Sequence, residues 1–265
     1  MILTHCGKLG DFVYTWPIAQ WVYETTGDKV DFVLPKCFKP FRFVKSLLEI
    51  QEFTGTVNFV SFRPLTYGCG GQPYRFNPRD YGYPGDYINL GFRTWPNKYV
   101  TEFQAEEHGL KYCSNWKLNL GEPEKPLLVV CATEQPCISA KTGERIDLEL
   151  DVLYNARRMA RSTVRKCYFS GMAAILYLAQ VPFYLFKESW QPCTDLYFPD
   201  RSRFTLVNVR GGRNPDSPVL KQVLTKGLVL VNGLEHVTNF LSHNVVPGVS
   251  NRQTMGDDLP STNNK

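Results

Sequence analysis

The sequence predicts an α/β protein built as two successive lobes, each around a parallel sheet. Three observations carry this. Short apolar runs of strand length alternate with segments of helix length along most of the chain. The alternation restarts after one polar, Pro-bearing stretch, residues 121–126 (GEPEKP). A length of 265 residues fits one large domain or two small ones. The expected division is an N-terminal lobe over 1–121, a C-terminal lobe over 126–245 and a polar tail over 246–265.

The elements follow in order. Residues 1–5 form a short apolar strand, and residues 6–11 (CGKLGD) a tight loop. Residues 12–23 are apolar and aromatic, fit for a helix packed on a sheet. Residues 29–34 (KVDFVL) alternate as a strand, 41–50 read as a helix, and 56–62 (TVNFVSF) as a strand again. Residues 63–96 break the pattern with Gly, Pro, Tyr and Arg, too long a stretch for a routine connection and hence a functional loop or partly disordered. A helix over 97–110 closes the first lobe.

After the linker, residues 127–131 (LLVVC) read as a buried strand and 148–163 as a helix. Residues 167–186 contain no charged residue and have the length of a membrane span, but Ser170, Gly171, Gln180 and Pro182 interrupt them. A buried helix over 171–179 and a buried strand over 182–186 account for the run, so no membrane span is expected. Further strands are expected at 204–209 and 228–231, then a helix from Asn232 to about His243. Two such Rossmann-like units enclose a cleft, and ligands bind at the carboxyl ends of the strands, where loops meet helix N-termini.

Composition bounds the function. Hydrophobic residues make up 43% and charged residues 21%, which supports a packed core and excludes global disorder. The net charge of +5 is a mild bias towards anionic partners. Eight cysteines include no CxxC pair and no zinc-ligand spacing with histidine. With no secretory signal at the N-terminus, they read as reduced thiols of a cytoplasmic protein. No P-loop and no GxGxxG run is present, which argues against ATPase and dehydrogenase chemistry.

Two readings compete at Asp11. Gly10 permits a tight strand-to-helix turn, and the Asp11 carboxylate beside it either caps the helix or faces the cleft as a general base for an acceptor hydroxyl. Elsewhere, Arg157, Arg161 and Arg165 recur every four residues on the expected helix, with Arg158 and Lys166 alongside, as a solvated basic face or a phosphate contact. Arg210 and Arg213 flank a Gly-Gly turn compatible with phosphate binding. In the first lobe Lys36, Lys39, Arg42 and Lys45 interleave with Phe38, Phe41 and Phe43, and the long loop adds Arg75, Arg79 and tyrosines. Cations among aromatics suit a polyanion bearing flat rings, or a wet surface over a packed interior. The acidic run Glu144, Asp147, Glu149 and Asp151 caps and solvates the start of the basic helix, with Glu134 or Glu144 as alternative ribose ligands.

Residues 10–17 (GDFVYTWP) resemble the N-terminal signature of family 9 glycosyltransferases, the heptosyltransferases of lipopolysaccharide core synthesis. Those enzymes carry a Gly-Asp-hydrophobic run ending in Thr-x-Pro after their first strand. The resemblance implies a GT-B fold, with the acceptor on the first lobe and a nucleotide sugar on the second. It makes Asp11 the catalytic base and places Gly10 in the donor site. Residues 127–133 (LLVVCAT) resemble the strand that opens the donor lobe, making Thr133 and Lys141 the counterparts of the diphosphate ligands. Residues 170–182 resemble the family's Asp-Thr-Gly-Pro-x-His run, helix and Val-Pro strand, so Ser170 and Gly171 would meet the donor at a helix N-terminus. Here the chain departs from the pattern: Phe169 stands at the acidic position and Ala174 at the histidine position.

The expected activity is sugar transfer from a nucleotide-sugar donor to an acceptor hydroxyl. No cofactor is required, and a divalent metal is compatible but not implied. The basic, aromatic first lobe tilts the acceptor towards duplex DNA carrying hydroxymethylated pyrimidines, as in bacteriophage genomes with glycosylated bases, with the base flipped out to reach Asp11. The acceptor-binding residues would then be Lys36, Lys39, Arg42, Arg75 and Arg79. The alternatives are a lipopolysaccharide core-type acceptor and a noncatalytic nucleotide-sugar or nucleic-acid binding module.

Overall fold

The computed structural model describes residues 1–5, 8–35, 43–61, 76–91, 94, 96–121, 127–132, 144–145, 151–188 and 194–209. In the first lobe, β1 (Ile2–His5), β2 (Val30–Pro35), β3 (Thr54–Val60) and β4 (Tyr87–Leu90) form a parallel sheet in the order β3-β2-β1-β4. Every residue of the central strand β1 is buried, as a strand covered on both faces requires.

The apolar run expected as one helix over 12–23 is two: α1 (Leu9–Val13) and α2 (Trp16–Thr26). Pro17 has no N–H to extend α1. The Thr15 hydroxyl closes that helix by donating to the Phe12 carbonyl at 2.6 Å. Proline is tolerated in the first turn of α2, and α2 ends at Gly27, whose φ of 75° suits glycine. The helices α3 (Lys45–Glu49) and α4 (Val100–Glu107) are shorter than expected. Part of the stretch expected to be irregular is regular: Pro78–Tyr81 forms a 3-10 turn, and β4 pairs with β1 along its whole length. Glycines on either side disguise this four-residue strand in the sequence, and only its partner β1 makes it one.

The second lobe contains β5 (Leu127–Ala132), β6 (Glu144–Arg145), α5 (Val152–Arg161), β7 (Ser162–Tyr168), α6 (Gly171–Leu178), β8 (Phe183–Glu188), α7 (Thr194–Tyr197) and β9 (Phe204–Val209). Its sheet is parallel, in the order β6-β5-β7-β8-β9. The crossovers through α5, α6 and α7 all step in the same direction, so right-handed connections place these helices on one face. The uncharged run resolves into the end of β7, α6 and β8, as expected. Among the described residues, no helix is long and apolar enough to cross a membrane.

The basic face does not continue along a helix: α5 ends at Arg161, and Arg165 and Lys166 lie on β7. Ser162, Thr163 and Val164 favour extended backbone, and the strand is paired on both sides. Asp151 caps α5, its carboxylate accepting the Tyr154 N–H at 2.9 Å.

The lobes share one apolar core, which runs from Leu3, Phe12 and Trp16 to Ile175, Leu185 and Phe204. Residues 172–178 of α6 are all buried, because the helix lies between the second sheet and the first lobe. Polar links reinforce the junction. The Val152 N–H donates to the Phe43 carbonyl at 2.8 Å, the Leu118 N–H to the Leu178 carbonyl at 3.0 Å, and the Ser46 hydroxyl to Asp151. The Gly121 backbone (φ 81°) passes so close to Arg157 that a Cβ would lie 2.0 Å from its guanidinium. The expected elements at 228–231 and 232–243, and the tail, lie outside the described residues.

Candidate active site

The site is built where β1 ends and α1 begins. Lys8 takes the N-cap position of α1, so Asp11 is the third helical residue rather than the cap. A carboxylate there is favoured by the helix dipole. Asp11 is 5% exposed, and its Oδ1 accepts a hydrogen bond from the Tyr197 hydroxyl at 3.1 Å. Tyr197 ends α7 of the second lobe, so this bond joins the lobes. The Gln104 side chain donates to the Asp11 carbonyl at 3.4 Å.

Aromatic rings hold Tyr197 over the carboxylate. Its ring packs edge-on against Tyr14 at 5.6 Å and Phe169 at 5.1 Å, and Phe169 packs against Phe198 at 5.5 Å. Phe169 thus occupies the family's acidic position as part of the packing that fixes Tyr197. Ala174 is buried in α6. Burial and neighbouring tyrosines push the Tyr14 phenol well above its usual range.

Gly10 and Gly171 meet across the lobes. A Cβ on Gly10 would lie 3.5 Å from the Gly171 Cα, and one on Gly171 would lie 3.0 Å from the Leu9 side chain. Both glycines therefore serve close helix packing in this conformation. Ser170 is the N-cap of α6 but makes no side-chain cap bond, and its buried hydroxyl has no hydrogen-bond partner among the described residues.

Arg79 is not brought to this site. It lies in the 3-10 turn near the start of β4, its guanidinium 3.5 Å from Asp86 and 5.9 Å from the Tyr87 ring centre. Tyr87 pairs with Ile2 at the amino end of β1, whereas α1 follows its carboxyl end. Thr133, Lys141, Arg210, Arg213, Lys36, Lys39, Arg42 and Arg75 lie outside the described residues. So do Glu134 and the residues of the acidic run other than Glu144, on β6, and the cap Asp151.

Two grooves open between the lobes among the described residues. One, of about 370 Å³, is lined by Tyr99, Tyr112, Trp116, Tyr177 and Arg203 among others. The other, of about 480 Å³, is lined by Lys117, Arg157 and Arg161 over an apolar floor. Asp11 lines neither.

Tyr197 and His5 were not legible as site candidates, and Lys166 reads in the sequence only as part of a basic face or phosphate contact. Tyr197 sits in an ordinary TDLYF run, and only the tertiary contact reveals it. His5, at the end of β1, is buried against Phe12, and burial lowers its pKa to about 3, so the imidazole is neutral. Lys166 is 2% exposed, and burial lowers its pKa to about 8. Among the described residues, no three His, Cys, Asp or Glu side chains converge as a metal site.

No family profile matches the chain, and no curated protein matches its sequence. Solved structures do. A family 9 glycosyl transferase from Veillonella parvula DSM 2008 aligns over 87% of this chain and 97% of its own, at 10% identity and a TM-score of 0.57. The E. coli ADP-heptose lipopolysaccharide heptosyltransferase II aligns over 88% and 99%, at 10% identity and a TM-score of 0.57. The E. coli heptosyltransferase WaaC with ADP aligns over 85% and 99%, at 10% identity and a TM-score of 0.53. At such identities the likeness concerns architecture: two parallel α/β lobes in the GT-B-like arrangement of these structures.

Proposed function

We propose that the chain is a glycosyltransferase that moves a sugar from a nucleotide-sugar donor to an acceptor hydroxyl. The observation that carries this reading is the Asp11 carboxylate, buried at the carboxyl end of the central first-lobe strand in a fold shared with sugar-transferring enzymes. Asp11 takes the acceptor proton, the acceptor oxygen bonds to the anomeric carbon, and the bond from that carbon to the diphosphate breaks. The nucleoside diphosphate leaves from the carboxyl edge of the second sheet. Tyr197 releases the carboxylate before the acceptor enters.

The WaaC structure with ADP supports an ADP-linked donor. The same likeness favours a glycan acceptor of the lipopolysaccharide core type over DNA, and no finding supports the hydroxymethylated pyrimidine. Gly10, Ser170, Gly171, Thr133, Lys141, Arg210 and Arg213 remain proposed donor contacts, Ser170 because its hydroxyl lacks a partner among the described residues. Lys36, Lys39, Arg42 and Arg75 remain proposed acceptor contacts.

A second reading rests on Phe169 and Ala174, which replace the family's acidic and histidine side chains: a module that binds a nucleotide sugar without turning it over. One experiment separates the two. The protein is incubated with ADP-heptose and a phosphorylated core-sugar acceptor, and released ADP is measured. Acceptor-dependent release that Asp11→Asn abolishes supports transfer. Binding of ADP-heptose without release supports the module.

A further inference from the structure

The groove of about 370 Å³ between the lobes stands apart from the site around Asp11. Helix α6 separates the two. Its first residue, Gly171, meets Gly10 beside Asp11, and its last, Leu178, lines the groove. At about 1.5 Å per residue, roughly 10 Å of helix lies between them. Pro17 and Tyr99 reach the groove from the first lobe, and Tyr177, Asp200 and Arg203 from the second. Junctions between domains are preferred places for small-molecule sites, and the volume falls within their usual range of about 300–1,000 Å³.

Aromatic rings form the walls. Tyr99, Tyr112 and Trp116 are each half-buried, so part of every ring is left outside the core it packs on. Tyr99 and Tyr112 stand edge to face at 6.1 Å rather than parallel. Rings set at an angle offer apolar faces from several sides, with phenols at their edges. They suit a saturated ring, whose C–H groups meet aromatic faces, better than a flat base, which requires a parallel stack.

The polar groups fix the charge of the ligand. The Arg203 Nε donates to the Asp200 carboxylate at 2.8 Å, and its guanidinium lies 5.0 Å from the Tyr177 ring centre. The cation of the groove is thus already neutralised. Further carboxylates stand close by. Glu24 accepts the Cys113 thiol at 3.1 Å, and burial together with Glu102 and Glu106 pushes the Tyr112 phenol up. Lys98 pairs with Glu102 and Glu106, so the described residues carry no surplus of positive charge here for a phosphate. Hydrogen-bond donors remain. The Tyr177 hydroxyl accepts the Asp200 N–H at 2.8 Å and keeps its own proton to donate. Arg203 spends Nε on Asp200 and Nη1 on the Tyr177 carbonyl, which leaves Nη2. Ser114 adds an exposed hydroxyl.

We propose that this groove binds a neutral saccharide, one or two sugar rings of a glycan. Sugar hydroxyls take the hydrogen bonds of Tyr177, Arg203 and Ser114, while the C–H faces lie on the aromatic rings. The inference goes beyond sugar transfer: it needs neither Asp11 nor a nucleotide, and it places a glycan at the lobe junction, away from the carboxylate.

The test is titration of the full chain with maltose, lactose and cellobiose, read by saturation-transfer NMR on the sugar. At least one of the three is expected to bind saturably. Ser114→Trp fills the groove from an exposed position and removes no core packing; it is expected to weaken that binding at least tenfold with an unchanged melting temperature. Tyr112→Ala takes away one wall and is the second variant, with an expected loss of at least threefold. Tyr154→Ala, at an exposed aromatic on α5 outside the groove, is the control and leaves binding unchanged. No saturable binding of any of the three sugars overturns the assignment. Binding that stays within twofold of the wild type in both Ser114→Trp and Tyr112→Ala overturns it too. So does adenosine or glucose 6-phosphate that binds more tightly than every disaccharide and is lost in Ser114→Trp. None of these results touches the transfer reading, which acceptor-dependent ADP release decides.

Discussion

Asp11 in the first lobe and Lys166 in the second are both buried near the carboxyl ends of their sheets, and the two are treated in opposite ways. Asp11 has a partner supplied across the lobes: the Tyr197 hydroxyl, held by Tyr14 and Phe169. Lys166 has none among the described residues. A buried carboxylate met by a hydroxyl at a helix start is a satisfied group, and its bond helps to close the lobes. Burial of the Lys166 amine disfavours its charged form and lowers its pKa. The lobes close over the Asp11 carboxylate, whereas the Lys166 amine has no hydrogen-bond partner among the described residues.

This contrast breaks first at Asp11. Asp11→Asn keeps the Tyr197 contact, since the amide carbonyl accepts the same hydrogen bond, but removes the proposed proton acceptor. Turnover is expected to fall by roughly 10²–10⁴ with ADP affinity retained. Measuring acceptor-dependent ADP release beside ADP binding checks it, and unchanged turnover ends the general-base role.

The junction between the lobes comes next. Gly171→Leu forces a side chain into Leu9, where a Cβ alone already approaches to 3.0 Å. Overpacking of this kind costs about 1–3 kcal/mol, read as a lowered melting temperature. An unchanged melting curve would mean that the lobes are not held at this contact.

The pH dependence of stability sharpens the Lys166 side. Its folded-state pKa of about 8 lies below the ordinary 10.5, so between those values the unfolded chain binds the extra proton. Stability of the ligand-free protein therefore rises as pH increases from about 8 to 10.5, by up to roughly 3 kcal/mol from this group. Below pH 8 both states are protonated and the full penalty applies. Urea denaturation across that window checks it, and the rise attributable to Lys166 is absent in Lys166→Met.

The smallest effect is expected at Tyr197. Tyr197→Phe keeps the aromatic packing and deletes one hydrogen bond, at a cost of about 1 kcal/mol. Transfer persists, because the carboxylate remains. Loss of transfer in this variant would promote Tyr197 from a cover over Asp11 to a participant.

Much of this architecture is legible along the chain because it is written in local pattern. The strand at 204–209 and the helix and strand within 167–186 follow from unbroken apolar runs punctuated by Gly171 and Pro182. The Gly-Asp turn after β1 is equally plain. The extension of the basic helix through Lys166 failed because a four-residue spacing of arginines does not distinguish a helix that continues from one that stops into a strand. Pairing with β5 and β8 makes that distinction. Strand β4 failed for the same reason, since its pairing with β1 spans more than eighty residues.

From residue order alone came the alternation of strands and helices, the two-unit plan and the position of Asp11 at the first turn. These depend on neighbours in sequence, where periodicity and backbone preference act. The tertiary structure alone decided that Tyr197 covers Asp11, that Gly10 meets Gly171, and that Lys166 is enclosed without a hydrogen-bond partner among the described residues. Each of these is a distance between groups far apart along the chain, and burial and hydrogen bonding are properties of that distance.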